Sequence, residues 1–462
     1  MLMGIKLQAR PTKEQKVILC AWMGGAKFVW NAKCQEDKYL RTYARKYLPL
    51  NTHPKIDQKY SQYKDEELSP FLKDIPSQIL RNSSSNWYAS YQQFFKQKDR
   101  GRPRVKKCGR GMTILLTREL FEFKNTAGGL KLFIGTKKNN IGLLDINWHD
   151  KKWLSYGLPN SIRIKKLPSG VFTASFCYGK EERSNAEKED RKNWFKYLSN
   201  KKSREELEKE VLGIDRGIVI AAATEVASFH PSIKDRNGLK KWKKILKRQQ
   251  VRFSKQRNKI SRRREKRKLK IAKIHAKIAN IRENACHHIT KQIVSTDKKV
   301  FVLEDLKIKN QTKSAKGTVE DPGKNVAQKS GLNREILNIG WHKIESQLKY
   351  KARKVNKVVF KVNPQFTLQE CANCGHTHAD NRSGIEFKCL SCGHMDHADI
   401  NAARVVKKRA VNLFLDSGTE LSENGLLRRK SDIGRGATVR PKKDKSLRAQ
   451  ASKRQERRKV AA

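Results

Sequence analysis

Apolar and polar positions alternate at the start of the chain. Ile5, Leu7 and Ala9 are separated by Lys6, Gln8 and Arg10, which predicts a strand over residues 1–10. Pro11 ends it, and Thr12-Lys13-Glu14-Gln15 has the spacing of a capping box opening a helix. In that helix Val17, Ile18, Ala21, Trp22, Phe28 and Val29 recur at mixed three-and-four spacing. A second helical segment follows Pro76-Ser77-Gln78, with Ile79, Leu80, Trp87, Tyr88, Tyr91, Phe94 and Phe95, an aromatic stripe expected to pack inward. Gly101-Arg102-Pro103-Arg104-Val105-Lys106-Lys107 breaks the helical block as a basic loop suited to a phosphate backbone, with Arg102 and Arg104 as its candidate contacts.

From residue 112 to 180 the period becomes two. Lys131–Ile134, Ser161–Lys165 and Val171–Phe176 read as short strands between Gly, Pro and Asn turns, which fits a small antiparallel barrel or sandwich. The helical block, 13–100, is then an insertion into a β unit made of 1–12 and 101–180. Residues 181–209 are charged throughout and read as a linker with some helix. Beyond them, Val211-Leu212-Gly213-Ile214-Asp215 and Val300-Phe301-Val302-Leu303-Glu304 are apolar strands that each end in an acid. Between these strands lies a basic stretch, Lys240 to Arg282, with Ile271, Ile274, Ile278 and Ile281 at helical spacing. Its run Arg262, Arg263, Arg264, Lys266, Arg267 and Lys268 has almost no acids to pair with, so phosphate contact is expected there. A helix from Asn333 to Arg353 and a strand Val358–Val362 follow, giving an α/β domain over 210–406. Residues 407–462 are polar and basic without periodicity and read as a disordered tail drawn to nucleic acid.

The charge balance narrows the partner. The 462 residues carry 103 Lys and Arg against 45 Asp and Glu, a formal net charge of +58, which implies a polyanion such as nucleic acid. No apolar run approaches the roughly 20 residues that span a bilayer, and the start of the chain leads to no signal-peptide core. An intracellular, cytoplasmic protein without a membrane partner is expected, and the scattered cysteines Cys20, Cys34, Cys108, Cys177 and Cys286 suit a reducing compartment.

Cys371-Ala-Asn-Cys374 and Cys389-Leu-Ser-Cys392 have the spacing of four thiolates converging on one tetrahedral zinc, and Gly375 and Gly393 supply the turns after each knuckle. This zinc would be structural. Asp399 stands just behind it, at the start of an apolar helix. Asp215, Glu304 and Asp399, at two strand ends and one helix start, can converge on one point. Three carboxylates brought together repel one another, but they suit Mg²⁺, a hard ion that takes carboxylates together with waters and phosphate oxygens. Two such ions about 4 Å apart serve phosphodiester cleavage.

These residues together resemble the TnpB family, the transposon-encoded OrfB-type proteins. The likeness rests on Gly213-Ile214-Asp215-Arg216-Gly217, Leu303-Glu304-Asp305-Leu306, and the paired knuckles followed by Asp399-Ile400-Asn401-Ala402-Ala403. It extends to Phe28-Val29-Trp30-Asn31, Pro76-Ser77-Gln78, Asn333-Arg334, Gly340-Trp341 and Pro364 to Thr367. The resemblance implies a multi-domain α+β protein: an oligonucleotide-binding, WED-like β-barrel with an inserted helical recognition lobe, then a RuvC-like, RNase H-fold nuclease domain. It implies Asp215, Glu304 and Asp399 as ligands of two catalytic Mg²⁺, and Cys371, Cys374, Cys389 and Cys392 as a zinc ribbon, spanning 365–395, inserted before the third acid. The implied activity is RNA-guided DNA cleavage beside a short motif. Its partners would be a guide RNA from the transposon end, double-stranded target DNA and a separate transposase, in a prokaryotic nucleoid setting. Two other readings are a guided binding protein that no longer cuts, which should have lost an acid, and a transposase joining strands itself. One departure is His397-Ala398-Asp399 where many relatives have Asp-Arg-Asp, with Asp396 as an upstream candidate.

Overall fold

β1 (Met3–Arg10) keeps the expected alternation, with Leu7 and Ala9 buried and Lys6, Gln8 and Arg10 exposed. The capping box forms: Thr12 Oγ1 accepts from the Gln15 amide at 3.3 Å, and the Gln15 side chain accepts from the Thr12 amide at 3.0 Å, starting α1 (Lys13–Tyr39). Gln15 also donates to the carbonyls of Ile141 and Leu143, both at 3.0 Å, so the cap is tied to the neighbouring sheet. The computed structural model describes residues 3–49, 52, 56–97, 100–107, 112–148, 157–178, 186–256, 260–318, 320–422 and 424–429. It divides into two units: 1–186 with 241–278, and 187–240 with 279–462.

In the first unit α2 (Ser77–Lys96) follows α1, and then come β2 (Met112–Thr117), β3 (Phe121–Thr126), β4 (Gly129–Gly135), β5 (Asn140–Ile146), β6 (Ser161–Lys166) and β7 (Phe172–Tyr178). The seven strands form one antiparallel sheet in the order β2-β6-β7-β1-β5-β4-β3. It curls far enough for Phe123 on edge strand β3 to meet Phe176 of β7, with ring centroids 6.1 Å apart. Leu19, Trp22 and Leu80 from the helices share one core with Leu116, Leu144 and Phe176 from the strands. The inserted helical block shares its core with the sheet, and its two helices also pack on each other, the Trp87 indole donating to Cys34 Sγ at 3.2 Å.

In the second unit α3 (Ala186–Ser199) and α4 (Arg204–Glu210) lead into β8 (Val211–Ile214) and a small ladder of β9 (Ala222–Ala223) and β10 (Ser228–Phe229). α5 (Ile233–Ser254) and α6 (Arg262–Val294) follow, and the division between the units falls within both of them. Then come β11 (Val300–Glu304), α7 (Val326–Ile339), α8 (Trp341–Lys354) and β12 (Val358–Val362). β8, β11 and β12 form a parallel sheet with β11 central. The expected single helix over Asn333 to Arg353 starts earlier and is interrupted at Gly340, whose φ of 78° lies in the left-handed region.

Two expectations are corrected here. The segment 181–209, expected to be a linker, is not one from residue 186 on, residues 181–185 lying outside the described part: Trp194 and Leu207 lie in the core with Val302 and Phe360. The Trp194 indole donates to the Val359 carbonyl at 2.9 Å, and Asp190 pairs with Arg353. One buried side on each charged helix was enough to fold them, and an average over the segment conceals it. Nor does the ordered chain stop at residue 406. α9 (Ala398–Leu415) continues past it, and β16 (Thr419–Leu421) and β17 (Leu427–Arg429) form a hairpin that buries Leu427 in the same core. Residues 430–462 lie outside the described part. Among the described residues no helix is long and apolar enough to cross a membrane.

If residues 186–210 belong to the second unit, Trp194→Ala should lower its stability by about 3–5 kcal/mol in a urea titration, the scale for a buried Trp. A true linker position would change by less than about 0.5 kcal/mol.

Candidate active site and metal centre

Asp215 follows β8 directly and Glu304 ends β11. The parallel register pairs Leu303 with Ile214, so the two acids leave the sheet side by side at its carboxyl edge. They are 4% and 5% exposed. Asp399 comes from the first turn of α9, which packs against β8 so closely that a Cβ on Gly213 would lie 2.1 Å from the Ala403 carbonyl. Gly217, two residues past Asp215, lets its own loop close: its Cβ would lie 2.8 Å from the Ile220 carbonyl, with Asp399 Oδ2 in ordinary contact at 3.4 Å. The Trp341 indole donates to the Gly217 carbonyl at 3.0 Å and holds that loop in place.

Burial pushes the Asp215 carboxyl well above the usual carboxylate range, and the charges of Glu304 and Asp399 push it further. Burial raises Glu304 as well, opposed by the Thr367 hydroxyl, which donates to Glu304 Oε1, and by the charge of Arg216. Arg216 is buried; it donates to the Glu304 carbonyl at 2.5 Å and pairs with Glu345 at 3.3 Å. Glu345 is the counter-charge of the layer beneath. Burial alone would raise it, but Lys361 at 2.7 Å, together with Lys349 and Arg216, brings it down to about 2.

The knuckles form as spaced. Cys371 and Cys392 are 3.7 Å apart and Cys374 and Cys389 3.5 Å apart, sulfur to sulfur. All four donor atoms lie within 4.8 Å of one another, the single set of three or more such atoms among the described residues, so this cluster can hold a metal ion such as zinc. Gly375 and Gly393 take φ of 81° and 70°, and the His376 and Cys392 amides face sulfurs at 3.5 Å. The ribbon strands β13 (Arg382–Ser383), β14 (Glu386–Lys388) and β15 (Met395–His397) lead directly into α9. Asn401, fully buried, donates to the Glu370 carbonyl at 2.8 Å and accepts from the Ala372 amide at 3.0 Å, fastening the helix to the first knuckle.

Sequence reasoning missed Arg382. From β13 its guanidinium reaches Asp399 Oδ1 at 3.3 Å, and its other terminal nitrogen is buried with no partner. No periodicity or motif marks it, because the ribbon fold alone brings it to the acid. His397 caps α9 through its ring, accepting from the Asp399 amide at 3.2 Å. Asp396 pairs with Arg404 at 2.8 Å rather than joining the other acids. Beside Glu304 opens a cleft of about 1070 Å³, lined in part by Lys307, Gln365, Thr367, Arg409 and Arg428.

The expected phosphate contacts divide. Arg104 is exposed, as are Arg262, Arg263, Lys266 and Lys268, and Arg267 is half-buried. Arg102 instead pairs with Asp37 at 2.8 Å and lies over the Phe94 ring at 4.6 Å, so the outer end of the aromatic stripe holds this arginine in place. Arg264 donates to the Gln256 carbonyl at 2.8 Å and covers the Phe253 ring, joining α5 to α6.

Two outcomes are expected. Purified protein should carry about one zinc per chain by elemental analysis, and Cys371→Ser with Cys389→Ser should remove it. In metal-free buffer Asp215→Asn should raise the thermal midpoint. The folded chain holds a proton on the raised acid pair that the unfolded chain releases above pH ~4, so wild-type stability falls as pH rises from there through the raised folded values. Removing one carboxylate should flatten that fall.

A model of a probable transposase family matches residues 182–315, and a model of the TNB domain of Cas12f1-like proteins matches residues 341–406. The putative RNA-guided DNA endonuclease InsQ of Escherichia coli (strain K12) is 32% identical over 410 residues, 87% of this chain and 91% of InsQ. The CRISPR-associated endodeoxyribonuclease Cas12f1 of Sulfoacidibacillus thermotolerans is 32% identical over 128 residues, 28% of this chain and 27% of that one. The solved structure of the mini-RNA-guided endonuclease CRISPR-Cas_phi3 covers 90% of this chain and 93% of its own at 11% identity, with a TM-score of 0.46, too loose a likeness to carry an argument. With InsQ similar along nearly its whole length and the two family models matching around the acids and the ribbon, the chain belongs to the OrfB-type TnpB family.

Proposed function

We propose that this protein is an RNA-guided, Mg²⁺-dependent DNA endonuclease of an insertion sequence, cutting DNA beside a short motif. The observation that carries the reading is that Asp215 and Glu304 lie buried side by side at the sheet edge, with Asp399 near enough for its charge to help raise Asp215. A fold gains nothing from that repulsion unless cations relieve it. The names of InsQ and Cas12f1 point to the same activity.

In this reading residues 210–406 form a RuvC-like nuclease domain, with helices from 186 and a hairpin to 429 added to it. Strands 1–12 and 101–180 form a WED-like barrel around the helical lobe. Asp215, Glu304 and Asp399 are the oxygen ligands for two Mg²⁺, which when bound would supply a lowered water pKa and a counter-charge for the leaving oxygen. Thr367 and Arg216 fix the Glu304 side chain and backbone so that the acid keeps its direction. Arg382 balances Asp399, and its unpartnered nitrogen is free to take a phosphate oxygen. The zinc ribbon positions both residues. Arg104, Arg262, Arg263, Lys266 and Lys268 hold the polyanion. The guide comes from the transposon end, the target is double-stranded DNA, and strand joining is left to a separate transposase.

The test is plasmid cleavage by protein co-expressed with and without transposon-end RNA. Asp215→Ala, Glu304→Ala and Asp399→Ala should each lose at least about a thousandfold in rate, as expected for members of one catalytic unit. Arg382→Ala should lose about ten- to a thousandfold. Cleavage surviving Asp215→Ala would remove the active-site assignment, and cleavage without RNA would remove the guided mechanism.

A further inference from the structure

Beneath the acids lies a layer of paired charge centred on Glu345 of α8. One of its oxygens takes Arg216 at 3.3 Å, and the other takes Lys361 of β12 at 2.7 Å and Lys349 at 3.2 Å. The side chains of Arg216, Lys361 and Glu345 are 0%, 11% and 14% exposed. Stability gives no reason for this choice. Desolvating three charged groups offsets what their pairing returns, and an apolar trio of similar volume generally does as well or better. The layer is not even complete, since Arg216 Nε is buried without a partner. Its reason lies in what else the two buried cations hold.

Both have a second partner at the end of β11. Arg216 donates to the Glu304 carbonyl at 2.5 Å, and Lys361 donates to the Asp305 carboxylate at 3.1 Å. The sheet gives up its hold on the chain at this point. The register of β11 with β12 ends at Glu304 and Val362, followed by one bond from the Asp305 amide to the Val362 carbonyl at 2.9 Å. The chain then turns, the Leu306 amide donating back to the Glu304 carbonyl at 3.0 Å. A strand end that turns at once can pivot, and a pivot at Glu304 would swing its carboxylate away from Asp215. Arg216 grips the carbonyl of Glu304 and Lys361 the side chain of Asp305, while Glu345 holds the two grips at a fixed separation. Thr367 steadies the far end of the Glu304 side chain through Oε1.

We propose that Glu345 is a positioning residue of the nuclease site: through Arg216 and Lys361 it clamps the Glu304–Asp305 peptide and thereby fixes the direction of the Glu304 carboxylate. Glu345 itself touches neither acid of the sheet edge. The inference rests on the nuclease reading, because it needs Glu304 to be a metal ligand.

Two readouts test it. One is Mn²⁺ binding to the full chain without nucleic acid, followed by the loss of the free-ion EPR signal, Mn²⁺ being a probe that carboxylates accept as they accept Mg²⁺. The other is guided plasmid cleavage, with binding of the target DNA measured alongside. Each variant is read below its own thermal midpoint. Glu345→Gln keeps the shape and removes the charge, and it should lose about ten- to a hundredfold in both Mn²⁺ affinity and cleavage rate, the usual scale for a residue behind a metal ligand. Target binding should stay within about twofold of wild type, because the phosphate contacts lie elsewhere. Lys349→Ala removes a pairing of Glu345 but nothing at β11, and should leave both readouts within about twofold. The combined variant Arg216→Met, Glu345→Leu, Lys361→Met makes the layer apolar. It should restore the thermal midpoint lost in Glu345→Gln while Mn²⁺ affinity and cleavage stay low. Recovery of both together with the midpoint would show a layer that only stabilises, and would overturn the proposal. A Mn²⁺ site that Asp215→Ala removes but Glu345→Gln leaves unchanged overturns the clamp and leaves the nuclease reading standing. A wild-type chain with no Mn²⁺ site sensitive to Asp215→Ala overturns both.

Discussion

Two acids leave adjacent parallel strands side by side, and a third is brought to them by a helix lying almost on the backbone of β8. Nearly everything else in the second unit can be understood as making that crowding tolerable. Gly213 lets α9 approach, since any side chain there would meet the Ala403 carbonyl. Gly217 leaves room for the Ile220 carbonyl as its loop closes. Beneath the acids, Arg216 and Lys361 face Glu345, so the layer under the site carries paired charge where an apolar core would normally lie. The pairing holds the Glu345 carboxyl low, although the Arg216 Nε is buried without a partner.

The cysteine ribbon is coupled to this crowding by covalent order and by hydrogen bonds. Its last strand runs into the N-cap of α9, Asn401 ties the helix back to the first knuckle, and Arg382 reaches across to Asp399. A small module built around four cysteines thereby sets the position of a carboxylate and supplies its counter-charge. The ribbon's contribution is geometric: its buried cysteines pack with Phe387 and Ala398 in a small cluster at the start of α9.

The first unit solves a different problem. α1 and α2 bury their apolar sides on the curled sheet and on each other, which leaves their remaining surface for charge. Arg102 and Arg264 show that a basic run is not uniform: each is drawn into aromatic and carbonyl contacts while its neighbours stay in solvent. The guanidinium is flat and weakly hydrated, so it serves as readily in packing as in binding. Linear sequence does not tell which use a given arginine has.

The sequence by itself determined whatever depends on near neighbours along the chain. The capping box at Thr12, the alternation in β1, the two knuckles with their glycines and the apolar strands ending in Asp215 and Glu304 are set by spacings of two to four residues, and they were legible. Tertiary structure decided what depends on which surface a segment meets. The helices around Trp194 and Leu207 look like solvated linker because one or two apolar residues per turn are diluted by charge, yet those residues are all that the sheet needs. The hairpin of β16 and β17 has strands of three residues each, too short to display a period. Arg382 carries no local signal, and its place beside Asp399 exists only once four distant thiols have drawn the ribbon together.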